Sequence, residues 1–222
     1  MKLKAALLSL PLVLLASGAD GQELPGGILE KEMGPRGAPK AFQTLQKYAV
    51  CVLEKAPVQT ADYLAKDVPA ISDQAGKDAL KLTNDKSTDH CLADAPFLKL
   101  DSNFLRGALI QAAYLNLGTG GVAIHIGAPD PAPQGQPVGF AKCVVMRRPS
   151  DSKALASTKI ASREENVALK HLQPDLNACA VQNGVRTIYP QLFRYQVVEE
   201  LYRQATKQPL NTASATLAVK AR

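Results

Sequence analysis

One stretch of this chain occurs twice, and the repeat constrains the fold more than any other sequence feature. Each copy contains an aromatic-Ala-x-Cys-Val segment, a proline, a serine, a second cysteine, a Leu/Phe-Arg pair and a tyrosine. The first copy places them at Cys51, Pro57, Ser72, Cys91, Arg106 and Tyr114; the second, at Cys143, Pro149, Ser162, Cys179, Arg194 and Tyr202. The second cysteine precedes the tyrosine by 23 positions in both copies. The repeat therefore predicts two similar structural units.

All four cysteines of the chain belong to the repeat. Among the three possible disulfide pairings, the duplication favours Cys51–Cys91 and Cys143–Cys179, because each unit then carries its own cross-link. Each bond would close about 40 residues and contribute roughly 4 kcal/mol in the chain-entropy model. Zinc is the competing interpretation, but the sequence has no close cysteine pair and no histidine at ligand spacing. We therefore expect two disulfides and no metal.

The N-terminus has the composition of a secretory signal peptide. Two lysines precede an apolar segment at residues 5–16, and small residues follow at 17–19. No stretch is long and apolar enough for a membrane span. We therefore predict a signal peptide at 1–19, a periplasmic or secreted protein and no transmembrane helix. Residues 20–38 are predicted to form a flexible leader, and residues 207–222 a flexible tail.

Apolar residues recur at helical spacing in both halves. This pattern predicts an all-α fold with one unit at residues 39–117 and a second at 139–206. A Gly/Pro-rich linker is predicted at 118–138, and its short extended segment at 122–126 is expected to dock on one of the units. We expect the units to pack through their last helices as a pseudo-twofold pair.

Local signals assign the ends of the helices in each unit. Pro57 is predicted to end the first helix, with a short helix at about 61–66 and another starting at Ser72. In the second unit Ser162 and Glu165 form a capping box, and the helix they begin is predicted to stop before Pro174. Cys91 and Cys179 would then come directly after the helices that begin at Ser72 and Ser162.

The formal net charge of +6 becomes +4 when the two lysines of the signal peptide are removed. Residues 139–206 hold ten Lys/Arg and six Asp/Glu, whereas residues 41–118 hold eight and nine. This imbalance indicates either an ordinary solvated surface or a contact face for an anionic partner, such as lipid head groups or an acidic protein. Nucleic acid is not expected, because aromatic residues make up only 5% of the chain.

Polar residues on the last helix of each unit are the candidate site. Arg106 and Arg194 lie at the edge of an apolar stripe, and Tyr114 and Tyr202 lie one residue beyond it. Each arginine is expected either to bind carbonyls or a carboxylate in the packed fold, or to hold an anionic ligand. In an enzyme, the nearby Glu199 or Glu200 would be a general acid.

Comparison of the two copies argues against catalysis. Glu199 aligns with Gln111 and Glu200 with Ala112, so the first copy lacks the acid that an enzyme would need. The sequence has no nucleophile motif, and its glycine cluster at 118–121 lacks the lysine of a phosphate-binding loop. We assign no catalytic residue and no cofactor.

The repeated Tyr/Phe-Ala-x-Cys-Val pattern, with its second cysteine, its Leu/Phe-Arg pair and its tyrosine, resembles that of uncharacterised small secreted proteins of alphaproteobacteria. The resemblance covers residues 48–115 and 140–203, and its motifs are architectural. It implies a Gram-negative periplasmic or secreted setting and no particular activity.

From the sequence we expect an exported, non-enzymatic binding module. Its partner would be an envelope protein or an anionic envelope component. The alternative is a hydrolase of an envelope polymer that uses a lone glutamate of the second unit as its acid.

Overall fold

The structure is a computed structural model that describes residues 38–66, 88–92, 102–128 and 138–207. Within these ranges the chain forms α-helices and one 3₁₀ turn, without a β-strand, so the all-α prediction is confirmed. The first half contains α1 (Ala38–Lys55), α2 (Pro57–Ala65), the 3₁₀ turn (Asp89–Leu92) and α3 (Ser102–Gly118). The second half contains α4 (Val138–Arg147), α5 (Pro149–Ser157), α6 (Arg163–Gln182) and α7 (Pro190–Thr206).

Several predictions concern residues outside these ranges. They are the signal peptide at 1–19, most of the leader at 20–38, the helix starting at Ser72 and the tail beyond residue 207. No described helix combines the length and apolar character needed to cross a membrane.

Each half begins with two helices that meet at a sharp bend before a proline. Ala56 and Arg148 occupy the bends with similar backbone angles, φ −132° and ψ 54° against φ −134° and ψ 63°. The proline that follows lies in the first turn of the next helix, where its missing N–H costs no hydrogen bond. The helix predicted at about 61–66 therefore exists but begins earlier than expected, at Pro57.

Both predicted disulfides are present. Cys51 and Cys91 join α1 to the 3₁₀ turn with a Cα–Cα distance of 5.5 Å. Cys143 and Cys179 join α4 to α6 with a Cα–Cα distance of 5.8 Å. Each disulfide therefore holds the first helix of its half against a segment 40 or 36 residues later.

The prediction that the capped helix ends before Pro174 is wrong. α6 continues through Pro174 to Gln182, so Cys179 lies inside the helix and does not follow it. Pro174 is exposed, whereas Leu172, Leu176 and Cys179 are buried on the opposite side of the helix. Burial of that side and the disulfide outweigh the one backbone hydrogen bond that a proline removes.

One continuous hydrophobic core extends through both halves. α3 packs against α1 and α7, while α7 also packs against α4 and α5, so the two last helices lie at the centre of the molecule. The core includes fully buried side chains from both halves, among them Tyr48, Val52, Leu105, Leu109, Phe140, Val144, Phe193 and Val197.

A glycine allows α3 and α7 to come close together. A Cβ atom at Gly107 would lie 2.4 Å from Cγ of Tyr195, which is closer than real Cβ atoms approach. Phe104, one turn earlier on α3, makes an edge-to-face contact with the same tyrosine at 6.3 Å between ring centroids. The centre of the fold therefore depends on a residue without a side chain.

Candidate functional site

Arg106 is buried on α3 and donates hydrogen bonds to three backbone carbonyls. Its Nη1 lies 2.9 Å from the carbonyl oxygen of Leu64 and 3.4 Å from that of Lys66, at the C-terminal end of α2. Its Nη2 lies 3.0 Å from the carbonyl oxygen of Gly127. The guanidinium therefore supplies donors to helix-terminal carbonyls, which carry partial negative charge and lack partners within the helix.

Arg194 makes the corresponding contacts in the second half and is 0% exposed. Its Nη2 donates to the carbonyl oxygens of Ala156, at 3.5 Å, and Thr158, at the C-terminal end of α5. Its Nη1 donates to Oγ1 of Thr158 and to Oε1 of Glu165, both at 2.8 Å. Arg194 thus forms a buried ion pair in addition to the carbonyl contacts.

Burial and the ion pair act on Arg194 in opposite directions. Burial lowers the pKa of Arg194 by disfavouring the charged form, and the Glu165 carboxylate raises it. With Glu165 at 2.8 Å and four neutral acceptors around it, the guanidinium is held in place as a hydrogen-bond donor.

Glu165 is a site residue that the sequence assigned only to helix capping. Oγ of Ser162 accepts a hydrogen bond from the backbone N of Glu165 at 3.1 Å, which is the predicted serine part of the capping box. The carboxylate does not return to the Ser162 amide, because Oε2 accepts from the backbone N of Ala161 at 2.5 Å. Its other oxygen binds Arg194. The spacing of Ser162 and Glu165 signals the cap but carries no information on the distant arginine.

Glu199 lies between two arginines where the halves meet. Its Oε1 is 2.7 Å from Nη2 of Arg203, one helical turn later, and 3.8 Å from Nη2 of Arg106. Nη2 of Arg203 also donates to the carbonyl oxygen of Gly127 at 2.5 Å. Gly127, Arg106, Glu199 and Arg203 therefore form one contact network, the Gly127 cluster.

The segment at 121–128 docks on both halves, not on one unit. The backbone N of Gly127 donates to the carbonyl oxygen of Leu64 at 2.8 Å, and a Cβ at Gly127 would lie 2.3 Å from the carbonyl oxygen of Lys66. The phenol of Tyr202 donates to the carbonyl of Ile124 at 2.8 Å and accepts from its N at 2.6 Å. Part of the predicted linker is therefore packed structure that joins α2 to α7.

The predicted site residues separate into three places. Arg106, Glu199 and Tyr202 contact the docked segment or its neighbours, whereas Arg194 lies near Glu165 and Gln111, at 2.8 Å and 3.4 Å. Tyr114 is half-buried, and burial raises the pKa of its phenol. Glu200 is buried and accepts from Nε2 of Gln204 at 2.8 Å. Sequence reasoning missed Arg203 and Gly127, whose partners come from distant parts of the chain.

An open groove of about 460 Å³ lies between α5 and α6. Asp151 of α5 and Thr158, directly after that helix, line one side, and α6 lines the other with Arg163, Glu164, Val167 and His171. Nδ1 of His171 is 3.7 Å from Oδ1 of Asp151 at the rim. Hydrogen bonds from its own backbone N–H and from the Ser162 side chain lower the pKa of Glu164. The groove offers both charges and an apolar wall to a ligand.

Among the described residues, no group of three His, Cys, Asp or Glu side chains is arranged to hold a metal ion. Comparison of the chain with protein-family models, with curated protein sequences and with solved structures finds no match. Function is therefore inferred from the chemistry of the described residues.

Proposed function

We propose that this protein is an exported, non-enzymatic binding module whose second half contacts an anionic partner in the cell envelope. The two disulfides fit an oxidising compartment, and the N-terminal sequence has the composition of a signal peptide.

The observation that carries the proposal is the unequal exposure of charges in the second half. Of the ten Lys/Arg at residues 139–206, only Arg194 and Arg203 are buried, and the other eight are exposed. Of the six Asp/Glu in the same range, only Glu164 is exposed. Glu165, Glu199 and Glu200 make contacts within the fold, and Asp175 pairs with the exposed Arg147 and Arg148. The remaining exposed cations outnumber the exposed carboxylates and leave a positive outer surface, which attracts anionic partners.

The contacts of the glutamates support binding over catalysis. A general acid must reach a substrate with a proton to transfer. Glu165 is held by Arg194 and the amide of Ala161, and Glu199 by Arg203. These carboxylates accept hydrogen bonds within the fold, as structural groups do.

The proposal includes an internal pseudo-twofold repeat. Arg106 and Arg194, which are equivalent in the sequence repeat, bind equivalent carbonyls: Leu64 and Lys66 in the first half, Ala156 and Thr158 in the second. Arg106 also approaches Glu199 at 3.8 Å, while Arg194 donates to Gln111 at 3.4 Å. Glu199 and Gln111 are themselves equivalent. Such reciprocal pairs are the contacts that a twofold interface requires.

Binding to a Gram-negative envelope fraction tests this function. The purified chain is incubated with washed envelopes, and bound protein and released polymer fragments are both measured over time. We expect saturable binding that weakens with added salt, no time-dependent release, and weaker binding when Lys153 and Lys159 are replaced by glutamine. Fragment release that grows with time at low protein concentration, or binding insensitive to salt and to these substitutions, would contradict the proposal.

A further inference from the structure

The outer surface of α6 is unusual for a surface helix. The exposed side chains of its N-terminal part are mostly polar, among them Asn166, Lys170 and His171, but from Pro174 to Val181 the exposed residues are Pro174, Ala178 and Val181, all of them apolar. Val181 is 77% exposed. A helix on the surface of a globular protein normally turns its polar side to solvent, so an exposed apolar stretch from Pro174 to Val181 indicates a contact surface.

α4 extends this surface with two further side chains. α4 and α6 run antiparallel, because Gly139 lies opposite Asn183, Cys143 is bonded to Cys179 and Arg147 lies 3.7 Å from Asp175. Successive helical residues are about 100° apart, so residues one position before each contact lie on the same side of the seam. Lys142 and Met146 of α4 therefore lie on the side of Ala178 and Val181.

We propose that Lys142, Met146, Lys170, Pro174, Ala178 and Val181 form the docking face for an acidic amphipathic helix of a partner protein. This inference rests on the proposed function and names its surface. The face combines apolar side chains, including Met146 at 69% exposure, with two lysines and no carboxylate. A helix with an apolar stripe bordered by glutamate or aspartate matches that combination.

The chemistry of the face favours this occupant over two others. A second copy of the chain in a twofold contact would place this face, with its lysines and no carboxylate, against an identical face, and such an interface offers the lysines no opposite charge. A bilayer surface is bound by helices that insert tryptophan, phenylalanine or leucine, and the face has none of these.

The length of the face indicates how long the partner helix should be. Lys170 to Val181 spans about 17 Å of helix, or roughly three turns, at 1.5 Å per residue. The groove beyond Lys170 has mixed charges, because Asp151, Glu164 and Arg163 all line it, whereas the face around Lys142 and Lys170 contains no carboxylate. We therefore expect the acidic residues of the partner to lie near Lys142 and Lys170.

Binding of designed peptides to the full chain tests the docking face. The probe is a fluorescent peptide of about four heptads with leucine at the first and fourth positions and glutamate beside them, and the control peptide has lysine in place of glutamate. We expect anisotropy to show binding of the glutamate peptide only. Val181→Asp and Met146→Glu should each weaken it at least about tenfold, and Val58→Asp, an exposed site on α2, should leave it unchanged.

Each other outcome overturns the inference. Equal binding of the two peptides, absence of binding, or an equal loss in Val58→Asp would remove the acidic-helix site. A dimer seen by light scattering and abolished by Val181→Asp would assign the face to a second copy. Binding to phosphatidylglycerol vesicles that Val181→Asp abolishes would assign it to a membrane. If Val181→Asp still binds envelopes like the unchanged chain, the docking face is wrong while the proposed function stands.

Discussion

Arg106 and Arg194 perform the same local task with different charge partners. Both donate to the last carbonyls of the second helix in their half. Arg194 has a buried carboxylate of its own half, Glu165, at 2.8 Å. The carboxylate near Arg106 is Glu199 of the other half, at 3.8 Å, and it is closer to Arg203. The second half therefore neutralises its arginine internally, whereas the first relies on its neighbour.

The difference concerns where each half finds the negative charge that lies near its arginine. The carbonyls that need a donor are the same in both halves, so an arginine is present in both. The carboxylate near each arginine does not depend on the helix end, and it comes from a different position in each half: Glu165 for Arg194 and Glu199 for Arg106. The contact of Arg106 with Glu199, together with the docked segment at 121–128, connects the halves across their interface.

The largest expected effect separates the two arginines. Arg194→Met leaves the Glu165 carboxylate buried without its charged partner, so we expect the free energy of unfolding to fall by about 3–5 kcal/mol. Arg106→Met should cost about 1–3 kcal/mol, because it removes carbonyl contacts and only a longer ion pair. Urea unfolding of both variants measures the difference.

A second substitution provides the control. Glu165→Leu added to Arg194→Met should recover part of the loss, because no unpaired buried charge remains. Equal losses for the two single variants would mean that the ion pair adds nothing to the carbonyl contacts. An unchanged melt for either would instead make that arginine a ligand-facing group.

The disulfides should have nearly equal effects in the two halves. They close loops of similar length, 40 and 36 residues, so replacing either pair by alanine should cost about 2–4 kcal/mol. Calorimetry of the Cys51→Ala/Cys91→Ala and Cys143→Ala/Cys179→Ala variants makes the comparison. A loss confined to one pair would show that the halves differ in stability far more than their matching geometry implies.

Gly107→Ala should destabilise the contact between the halves. The added Cβ would meet the Tyr195 ring at 2.4 Å, and such overpacking costs about 1–3 kcal/mol. Gly118→Ala, at the end of the same helix, meets nothing within 4 Å and should be neutral or slightly stabilising. If both variants unfold alike, the close approach of α3 and α7 is not a constraint on the fold.

The smallest effect compares the two repeated tyrosines. Burial raises the pKa of Tyr202 above 10.0, although its hydrogen bond with Ile124 acts in the opposite direction. A folded-state pKa above the unfolded value gives stability that is complete below about pH 10 and is lost as pH rises through the folded value. Tyr202→Phe should cost about 1 kcal/mol near neutral pH and reduce the alkaline sensitivity.

Tyr114→Phe is the matched control for that substitution. Burial also raises the pKa of Tyr114, which is only half-buried. We expect a smaller loss than for Tyr202→Phe in urea unfolding at about pH 8 and about pH 11. A larger loss for Tyr114→Phe would mean that the contact of Tyr202 with the docked segment is unimportant.

The sequence was sufficient for features that depend on local spacing or on the repeat. It predicted the helical class, both disulfides, the cap at Ser162 and the apolar stripes of α3 and α7. It failed where tertiary contacts decide. Proline as a helix terminator is a local rule, and α6 passes through Pro174 because its opposite side is buried.

Most of the candidate site could not be predicted from the sequence, because its contacts also join residues that are far apart in the chain. The partners of Arg194 are 29 to 83 positions away, and Gly127 is 76 positions from Arg203. A glycine in a Gly/Pro-rich segment is typical of a linker, so its role as a carbonyl acceptor for two arginines has no local signal. The repeat did point to the arginines, since both copies carry them.

The most direct test of the account measures how Glu199→Gln binds washed envelopes and whether it releases polymer fragments from them. This variant places in the second half the amide that Gln111 provides at the equivalent position of the first. An amide oxygen can still accept from Arg203, so we predict unchanged envelope binding at equal amounts of folded protein, with a modest loss in melting temperature. Release of polymer fragments by the unchanged chain that disappears in Glu199→Gln, while the melt is unchanged, would contradict the account. It would make Glu199 a catalytic acid, whose loss typically removes about 10²–10⁴-fold of rate.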